Sequence, residues 1–445
     1  MLTDRLRDER YIAPSPAGFF SLSRLAMSAF LHLKNGRVLG PESRSAEPWA
    51  EVDLLIAHGR IAAIGKDLGP LGVMCETLDL EGRYVIPGLV DAHVHLTGGG
   101  GEAGFKTRVP RVEVSALAGN GVTSVVGVLG TDGATRTLRD LVASAYAVRE
   151  EGLSAWCYTG NYAVPVMTLT GSVKDDLVFV EPIVGVGELA ISDHRSSQPT
   201  LDELLRIASD AYVAGLTAGK SGVMHLHLGD GERGLELVRR ALATAEIPAR
   251  VWHPTHLNRN RRLWAEAKDL ARVARPPYFD VTAFPHDDDP DTLSAVEAVL
   301  DWVGSGLPAD RLTVSSDGGG CLPSFDHDGR MVAMGVGSCS TLLETLRGLV
   351  DAGLPLAEAV PFFTRQPAQV LGLRGGVAGE AGPKGVIAQG SDADLVILDG
   401  DLRLCHVFAR GRAFVRDGGI VRGGTFEGVP SRATEQDAGC ERRGR

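Results

Sequence analysis

Two histidines separated by one residue, His93 and His95, close an apolar run that starts at Val85. A run of this length, rich in Val and Ile, is typical of a buried strand in a parallel sheet. Alternate residues of a strand point to the same face, so both imidazoles can reach one point beyond the strand end. Two convergent imidazoles are typical ligands of a divalent metal ion. The pair alone fits two solvated or core histidines equally well, so the rest of the chain must decide.

Four further candidate ligands follow in the same pattern, at or near the ends of apolar segments. They are Glu188, His227, His256 and Asp317. The segment around Glu188 is apolar, and a carboxylate buried there needs a partner, a proton or a metal ion. Together with the first two histidines, these residues suit two divalent ions bridged by one carboxylate and one hydroxide.

The remaining histidines are expected to play other parts. His225 shares a strand face with His227 but lies deeper, which favours a supporting position behind the ligands. His253 is expected to support its strand. For His194 the sequence leaves two alternatives, a place in the site or a place on the surface. The others are expected on the surface or in loops: His32, His58, His286, His327 and His406.

The candidate ligands occur in a chain that alternates strand-like and helix-like segments. Strands are predicted at 121–128, 155–158, 184–191, 223–228, 251–256, 279–283 and 312–315, and helices at 138–150, 201–214 and 234–245. Repeated βα units over this length predict an α/β fold with a closed (β/α)8 TIM barrel. The polar residues gather just after the strands, and barrels of this kind carry their active sites on that face.

Short β segments at both ends of the chain predict a second, smaller domain. The turn residues Asn35-Gly36 and His58-Gly59 separate strands at 30–33, 51–57 and 60–64, and a matching set is expected between 393 and 422. Neither cluster can bury a face alone, so one β-sandwich built from both termini is expected. The predicted boundaries are an N-terminal extension at 1–28, sandwich segments at 29–86 and 379–430, the barrel at 87–378 and a disordered tail at 431–445.

Composition narrows the classes of protein to which the chain can belong. The net charge is −11 and the pI is near 5.6, which argues against a nucleic-acid binder. No apolar run reaches about 18 residues, so no membrane span is expected. The six cysteines are scattered without a CxxC pair, which favours reduced thiols in a cytoplasmic protein.

Several segments resemble the amidohydrolase superfamily: the strand PGLVDAHVH, the His and Asp strand ends, and SDADLVILD at 391–399. Within that superfamily, the chain resembles the bacterial isoaspartyl (β-aspartyl) dipeptidases over about residues 33–427. The segments that carry the closer resemblance are HVHLTGGGGEAG, GVTSVVGVLGTD, TGNYAVP, LTGSV, AISDHRS, HLGD, PTHLNRN and SSDGGG.

The resemblance implies a role for each matching residue. The metal ligands would be His93, His95, His227, His256 and Asp317, and the cofactors two divalent ions, expected to be zinc. Glu102 matches a residue that holds the α-amino group of the substrate, and Tyr162 matches one that polarises the scissile carbonyl. Arg195 and Arg259 match two substrate-binding arginines, whose guanidinium groups suit carboxylates. Thr131 and Cys321 match further substrate contacts.

Two positions depart from the family pattern. The usual bridging ligand of the family is a carboxylated lysine, and Glu188 stands in its place here. The shorter side chain requires the strand to approach the metal ions more closely. Cys321 stands where the family often has a serine, and a thiol is a poorer hydrogen-bond donor than a hydroxyl.

The resemblance implies hydrolysis of β-aspartyl dipeptides by a hydroxide held between two metal ions, with Asp317 and Tyr162 as catalytic residues. One alternative is another amidohydrolase, such as a D-aminoacylase or a cyclic amidase like a hydantoinase or dihydroorotase. A non-catalytic, hydantoinase-like scaffold is a further alternative. The expected partner is a small-molecule substrate, without nucleic acid or membrane, and the chain is expected to form a homo-oligomer.

Overall fold

The computed structural model describes residues 30–40, 47–69, 72, 74–284, 291–325, 330–375 and 382–428. The predicted extension at 1–28 and tail at 431–445 lie outside these residues, and so do His286 and His327.

The smaller domain begins with five strands: β1 (Phe30–Leu39), β2 (Trp49–Ala57), β3 (Arg60–Gly65), β4 (Glu76–Asp79) and β5 (Tyr84–Pro87). Strand β1 pairs antiparallel with β2 and parallel with both β4 and β5. Strand β2 pairs with β3 through the tight turn at His58-Gly59, where both residues have positive φ. The predicted turn at these two residues is therefore present.

Within the described chain, eight parallel strands alternate with eight helices. The strands are β6 (Leu89–Val94), β7 (Val122–Gly127), β8 (Ser154–Thr159), β9 (Ile183–Ile191), β10 (Val223–Leu228), β11 (Trp252–Thr255), β12 (Phe279–Thr282) and β13 (Leu312–Ser315). The helices are α1 (Val114–Ala118), α2 (Leu138–Glu151), α3 (Val173–Phe179), α4 (Leu201–Ala218), α5 (Glu236–Thr244), α6 (Arg261–Ala271), α7 (Ala295–Gly304) and α8 (Ser340–Asp351).

These units close into the TIM barrel that the alternation predicted. Strands β6 to β11 form one continuous sheet in chain order, and β12 pairs with β13. Leu257 donates its N–H to the carbonyl of Asp280 at 3.2 Å, which joins β11 to β12. His95 donates its N–H to the carbonyl of Gly318 at 2.8 Å, which joins β6 to the chain after β13. The strands are buried along their whole length, as expected for a parallel sheet that is covered on both faces.

Local sequence determines where the barrel helices begin. The side chains of Thr137, Ser172 and Asn260 each accept a hydrogen bond from the first turn of α2, α3 and α6. Thr200 and Ser294 form complete capping boxes at α4 and α7. Such caps satisfy amides that the helix leaves unpaired, so each helix starts at a defined distance from its strand. The loops at the carboxyl ends of the strands are thereby placed reproducibly.

The remaining elements complete the pocket side of the barrel and the smaller domain. They are the hairpin β14 (Cys321–Phe325) and β15 (Met331–Val336), the helices α9 (Leu356–Ala359) and α10 (Arg365–Val370), and the strands β16 (Leu395–Leu398), β17 (Leu404–Ala409), β18 (Arg412–Arg416) and β19 (Gly419–Ile420). Strand β16 pairs antiparallel with β5, so both ends of the chain join one sheet. Side chains from both ends, among them Leu33, Val85 and Phe408, share one core. The β-rich domain built from both termini is confirmed.

Three expectations about the smaller domain are wrong. Strand β1 continues through Asn35-Gly36 instead of turning, because a bulge after Leu33 absorbs the left-handed Asn35 (φ 54°). His32 is not on the surface but buried in β1, where its Nε2 lies 3.1 Å from Oδ2 of Asp53. His406 is also buried, and its ring lies beside that of the buried Phe408 on β17. His58 is exposed, as expected.

No helix in the ranges given above is both long enough and apolar enough to cross a membrane.

Candidate active site

The six predicted metal ligands lie together at the carboxyl end of the barrel. Strand β6 carries His93 and is followed by His95, while β9 carries Glu188 and β10 carries His227. The other two follow β11 and β13: His256 and Asp317, with φ of 61° and 54°. All six residues are buried, none more than 6% exposed.

The carboxylate of Glu188 lies between two groups of ligand atoms. Its Oε1 is 3.5 Å from Nε2 of both His93 and His95. Its Oε2 is 3.1 Å from Nδ1 of His227 and 3.8 Å from Nε2 of His256. Oδ1 of Asp317 belongs to the first group, 3.4 Å from Nε2 of His93 and 3.1 Å from Nε2 of His95. A glutamate on β9 therefore reaches both groups despite its short side chain.

The donor atoms in this cluster fit metal ligation. Nε2 of His93, Oε1 of Glu188 and Oδ1 of Asp317 are buried without a hydrogen-bond partner among the described residues. Such atoms are costly in a protein interior unless a ligand pairs them. His93, Glu188 and His256 could hold one ion, and His93, His95 and Asp317 could hold an ion as well. Imidazole and carboxylate donors suit Zn²⁺ and similar divalent ions.

The charges of the cluster also favour a bound cation. Burial would raise the pKa of Glu188, but the charge of His93 and hydrogen bonds from the histidines lower it well below its usual range. Burial likewise opposes ionisation of Asp317, yet the nearby rings of His95 and His93 lower its pKa to about 2. Burial would lower the pKa of His93, but Glu188 and then Asp317 raise it to about 9. Two ionised carboxylates thus attract positive charge, which a divalent ion can supply.

A pocket of about 340 Å³ opens beside the cluster. The predicted substrate residues all line it: Glu102, Thr131, Tyr162, Arg195, Arg259 and Cys321. The hydroxyl of Thr131 donates to Oε1 of Glu102 at 2.7 Å. Oε2 of Glu102 and Nε of Arg259 are buried and have no hydrogen-bond partner within the described ranges. The pocket therefore offers one unpaired anionic acceptor and one unpaired cationic donor.

Two other pocket residues are held in their protonated forms by burial. Burial raises the pKa of Tyr162 well above its usual value, so its hydroxyl can donate at neutral pH. That hydroxyl lies 2.8 Å from Nδ1 of His227, next to the metal-ligand cluster. Burial raises the pKa of the Cys321 thiol to about 12, which leaves it a neutral thiol rather than a nucleophilic thiolate.

Asp193 is a site residue to which the sequence pattern assigned no role. Its carboxylate accepts Nε and Nη2 of Arg195 at 3.0 and 2.7 Å, and its Oδ2 lies 2.9 Å from Nε2 of His227. The fork of Arg195 is thus occupied by Asp193, and its Nη1 lies 3.7 Å from Oε1 of Glu102. Burial would raise the pKa of Asp193, but His227 and Arg195 lower it far below its usual range. In the sequence, Asp193 lies between Glu188 and Arg195, two residues after the buried strand β9, and this position could have identified it as a candidate.

Other side chains support the ligands from behind. Nδ1 of His256 lies 2.7 Å from the hydroxyl of Thr282, a contact that the sequence did not predict. His225 lies deeper in the barrel, as expected, with its Nε2 2.9 Å from Nδ1 of His93. His253 contacts His225 and is also buried. His194 is exposed and lies 3.3 Å from Oδ1 of Asp230, outside the pocket.

The model of the amidohydrolase family matches residues 84–426, well over half of the chain. The chain belongs to the amidohydrolase family. Curated relatives of this amidohydrolase include a dihydroorotase from Syntrophus aciditrophicus (strain SB), 25% identical over 405 residues, which cover 82% of this chain and 89% of that protein. A D-hydantoinase from Rhizobium radiobacter is 26% identical over 423 residues, which cover 82% of this chain and 85% of the hydantoinase.

A solved structure gives a higher identity. The β-aspartyl dipeptidase from the thermophilic, keratin-degrading Fervidobacterium islandicum AW-1, in complex with the dipeptide β-Asp-Leu, superposes with a TM-score of 0.81 at 40% identity. The match covers 88% of this chain and 98% of that chain. The resemblance to β-aspartyl dipeptidases is thereby confirmed, and this amidohydrolase is a hydrolytic enzyme.

Proposed function

We propose that this amidohydrolase hydrolyses the β-aspartyl bond of dipeptides in a metal-dependent reaction. The observation that carries the proposal is the pair of unpaired buried atoms in the pocket, Oε2 of Glu102 and Nε of Arg259. A β-aspartyl dipeptide carries a free α-ammonium and free carboxylates, and these are the charges that such a pair can neutralise. The 40% identical dipeptidase, whose structure contains β-Asp-Leu, supports the same assignment.

Each charged group of the substrate has a counterpart in the pocket. Glu102, held by Thr131, would accept the α-ammonium through Oε2. Arg259 would bind a carboxylate, and its guanidinium is steadied over the ring of Phe284 at 5.7 Å. Arg195, anchored by Asp193, would add a second positive charge. Cys321 would contact the substrate as a neutral thiol.

The residues that would hold the cofactor are His93, His95, Glu188, His227, His256 and Asp317, and zinc is the metal we expect. Two bound divalent ions would supply Lewis acidity and lower the pKa of water in the site. The water oxygen bonds to the side-chain carbonyl carbon, and the proton it loses passes to the carboxylate of Asp317. Asp317 returns that proton to the leaving nitrogen as the C–N bond breaks, which gives aspartate and a free amino acid. The hydroxyl of Tyr162 donates to the carbonyl oxygen as negative charge develops there.

A second candidate is the opening of a cyclic amide. Dihydroorotases and hydantoinases match 80–84% of this chain at 22–28% identity. A cyclic amide has no free α-ammonium, so it would leave Oε2 of Glu102 buried without a partner among the described residues. Two further expectations from the sequence stay predictions, namely that the chain forms a homo-oligomer and that the protein is located in the cytoplasm.

The test is a panel of substrates for the purified, zinc-supplemented enzyme. We expect β-Asp-Leu to be cleaved far faster than α-Asp-Leu, N-acetyl-β-Asp-Leu, dihydroorotate, a 5-substituted hydantoin and an N-acyl-D-amino acid. The matched comparison is β-Asp-Leu against its N-acetyl form, because the two differ only at the group that Glu102 would bind. Faster turnover of a cyclic amide or an N-acyl amino acid would overturn the proposal.

A further inference from the structure

A continuous row of buried side chains runs from the metal-ligand cluster into the barrel interior. Nδ1 of His93 lies 2.9 Å from Nε2 of His225, and Nδ1 of His225 lies 3.1 Å from Nδ1 of His253. Nε2 of His253 lies 3.0 Å from Oγ1 of Thr313, whose hydroxyl donates to Oδ1 of Asp280 at 2.5 Å. All five side chains are fully buried. The row therefore crosses the barrel core from β6 to β12.

One assignment of protons satisfies every member of the row. Asp280 as a carboxylate can only accept, so the hydroxyl of Thr313 donates to it and accepts from Nε2 of His253. His253 then accepts at Nδ1 the proton that His225 donates from its own Nδ1. His225 accepts at Nε2, so His93 donates from Nδ1, and Nε2 is the nitrogen of His93 left to bind a metal ion. That nitrogen is the one directed at Glu188 and Asp317.

The environment favours the charge states that this assignment needs. Burial lowers the pKa of His253 to about 3, so its ring is neutral and one of its nitrogens can accept. Burial raises the pKa of Asp280 to about 6, against the hydrogen bonds from Ser315 and Thr255, so it is mainly a carboxylate at pH 7. These two hydroxyls pair Oδ2 of Asp280 at 2.6 and 2.7 Å and leave Oδ1 to Thr313.

Packing holds the central imidazole in place. The ring of Tyr158 stacks on His225 with centroids 5.1 Å apart and planes at 21°. On the adjacent strand β9, a Cβ at Gly187 would lie 2.8 Å from Cβ of His225, so glycine makes room for the start of this side chain. Neighbours on β8 and β9 therefore restrict the position of His225.

We propose that His225, His253, Thr313 and Asp280 form a hydrogen-bond relay that places a ring proton of His93 on Nδ1 and directs Nε2 at the metal site. A partner that accepts the second ring proton of a histidine ligand fixes its tautomer and raises its basicity, and here the acceptor charge lies four hydrogen bonds away. The four are positioning residues, since none of them lines the pocket. The inference rests on the proposed metal site and not on the proposed substrate.

The experiment measures zinc release from the loaded protein into an excess of chelator. Thr313→Val keeps the size of the side chain but breaks the row between His253 and Asp280. Thr123→Val is the matched control, because Thr123 is also fully buried on a barrel strand and lies outside the row. We expect Thr313→Val to release one of two zinc ions roughly 10- to 100-fold faster, with the second ion and the control at wild-type rates. His225→Leu, which removes the first partner of His93, should accelerate the release of the same zinc ion.

The unfolding midpoints of the metal-free proteins separate positioning from simple destabilisation. Equal midpoints for Thr313→Val and Thr123→Val, together with faster loss of one ion, would support the relay. Wild-type release of both ions from Thr313→Val, or faster release of both ions in step with a lowered midpoint, would overturn it. A failure to cleave β-Asp-Leu would count against the proposed function but leave this readout unaffected.

Discussion

Replacement of Asp193 by asparagine tests whether this residue links the substrate pocket to the metal-ligand cluster. The carboxylate of Asp193 holds the fork of Arg195 on one side and Nε2 of His227 on the other. Asparagine has nearly the same shape but no charge, and its amide nitrogen cannot accept a hydrogen bond. Asp193→Asn therefore removes the acceptor that Oδ2 offers to both residues while the pocket keeps its volume.

The structure gives the scale of the effect. A hydrogen bond to a charged group contributes roughly 1.5–3 kcal/mol, and two such contacts to Oδ2 are lost. The gain from no longer burying a carboxylate offsets part of this, so we expect the free energy of unfolding to fall by about 2–4 kcal/mol. Residues that orient a metal ligand typically affect activity by about 10- to 100-fold, and we expect kcat/KM for β-Asp-Leu to fall within that range.

The assay compares kcat/KM for β-Asp-Leu at a temperature well below the unfolding midpoint of every variant. Asp230→Asn is the matched control: Asp230 is an exposed acid that contacts His194 on the same side of the barrel. We expect the control to match the wild type within about 0.5 kcal/mol in stability and to retain its activity. Wild-type kcat/KM in folded Asp193→Asn would refute the reasoning, because Arg195 and His227 would then need no common anchor.

Three other substitutions give further tests. Glu188→Ala should lose at least one metal ion, because Asp317 would be the one carboxylate left among the proposed ligands. The activity of the wild type should not depend on added bicarbonate. Full metal content by elemental analysis, together with full leucine release by the variant, would contradict the role of Glu188. Glu102→Gln should raise KM for β-Asp-Leu while the metal content stays unchanged. Equal cleavage of the free and the N-acetylated dipeptide by the wild type would argue against a pocket in which Glu102 binds the α-ammonium. Glu427→Ala should lower stability by roughly 1 kcal/mol at pH 7, because Glu427 accepts the first two amides of α1 at 2.7 and 2.9 Å. Those hydrogen bonds outweigh burial and lower the pKa of Glu427. Glu427 therefore stabilises the fold above the unfolded pKa near 4.5, and this stabilisation is lost as the pH falls through the folded pKa. Urea unfolding of the wild type and the variant at pH 7 and pH 3 measures this, and identical stabilities at pH 7 would contradict it.

The barrel and its ligand positions were predictable because their causes are local in the sequence. Most barrel strands are rich in apolar residues, since both faces of the sheet are covered, and the polar residue that follows a strand must lie at the carboxyl end of the barrel. Glu188 was predictable on the same ground, because a single acid within such a run needs a partner.

The contacts between strands were not predictable, because they depend on register. His225 and His253 are paired residues of neighbouring strands, and nothing in either segment shows that alignment. The role of Asp193 depends on Arg195 folding back onto it, two residues along a loop. The length of β1 was not predictable either, because Asn35-Gly36 is typical of a turn, whereas a bulge lets the strand continue past it.

The central claim, hydrolysis that depends on metal ions held at the carboxyl end of the barrel, is tested most directly by titrating metal-free enzyme with zinc. Bound zinc per chain and the rate of leucine release from β-Asp-Leu are measured on the same samples. We predict that metal-free protein is inactive and that activity rises with bound zinc until two ions are held per chain. Full activity in protein that holds no metal would contradict the account.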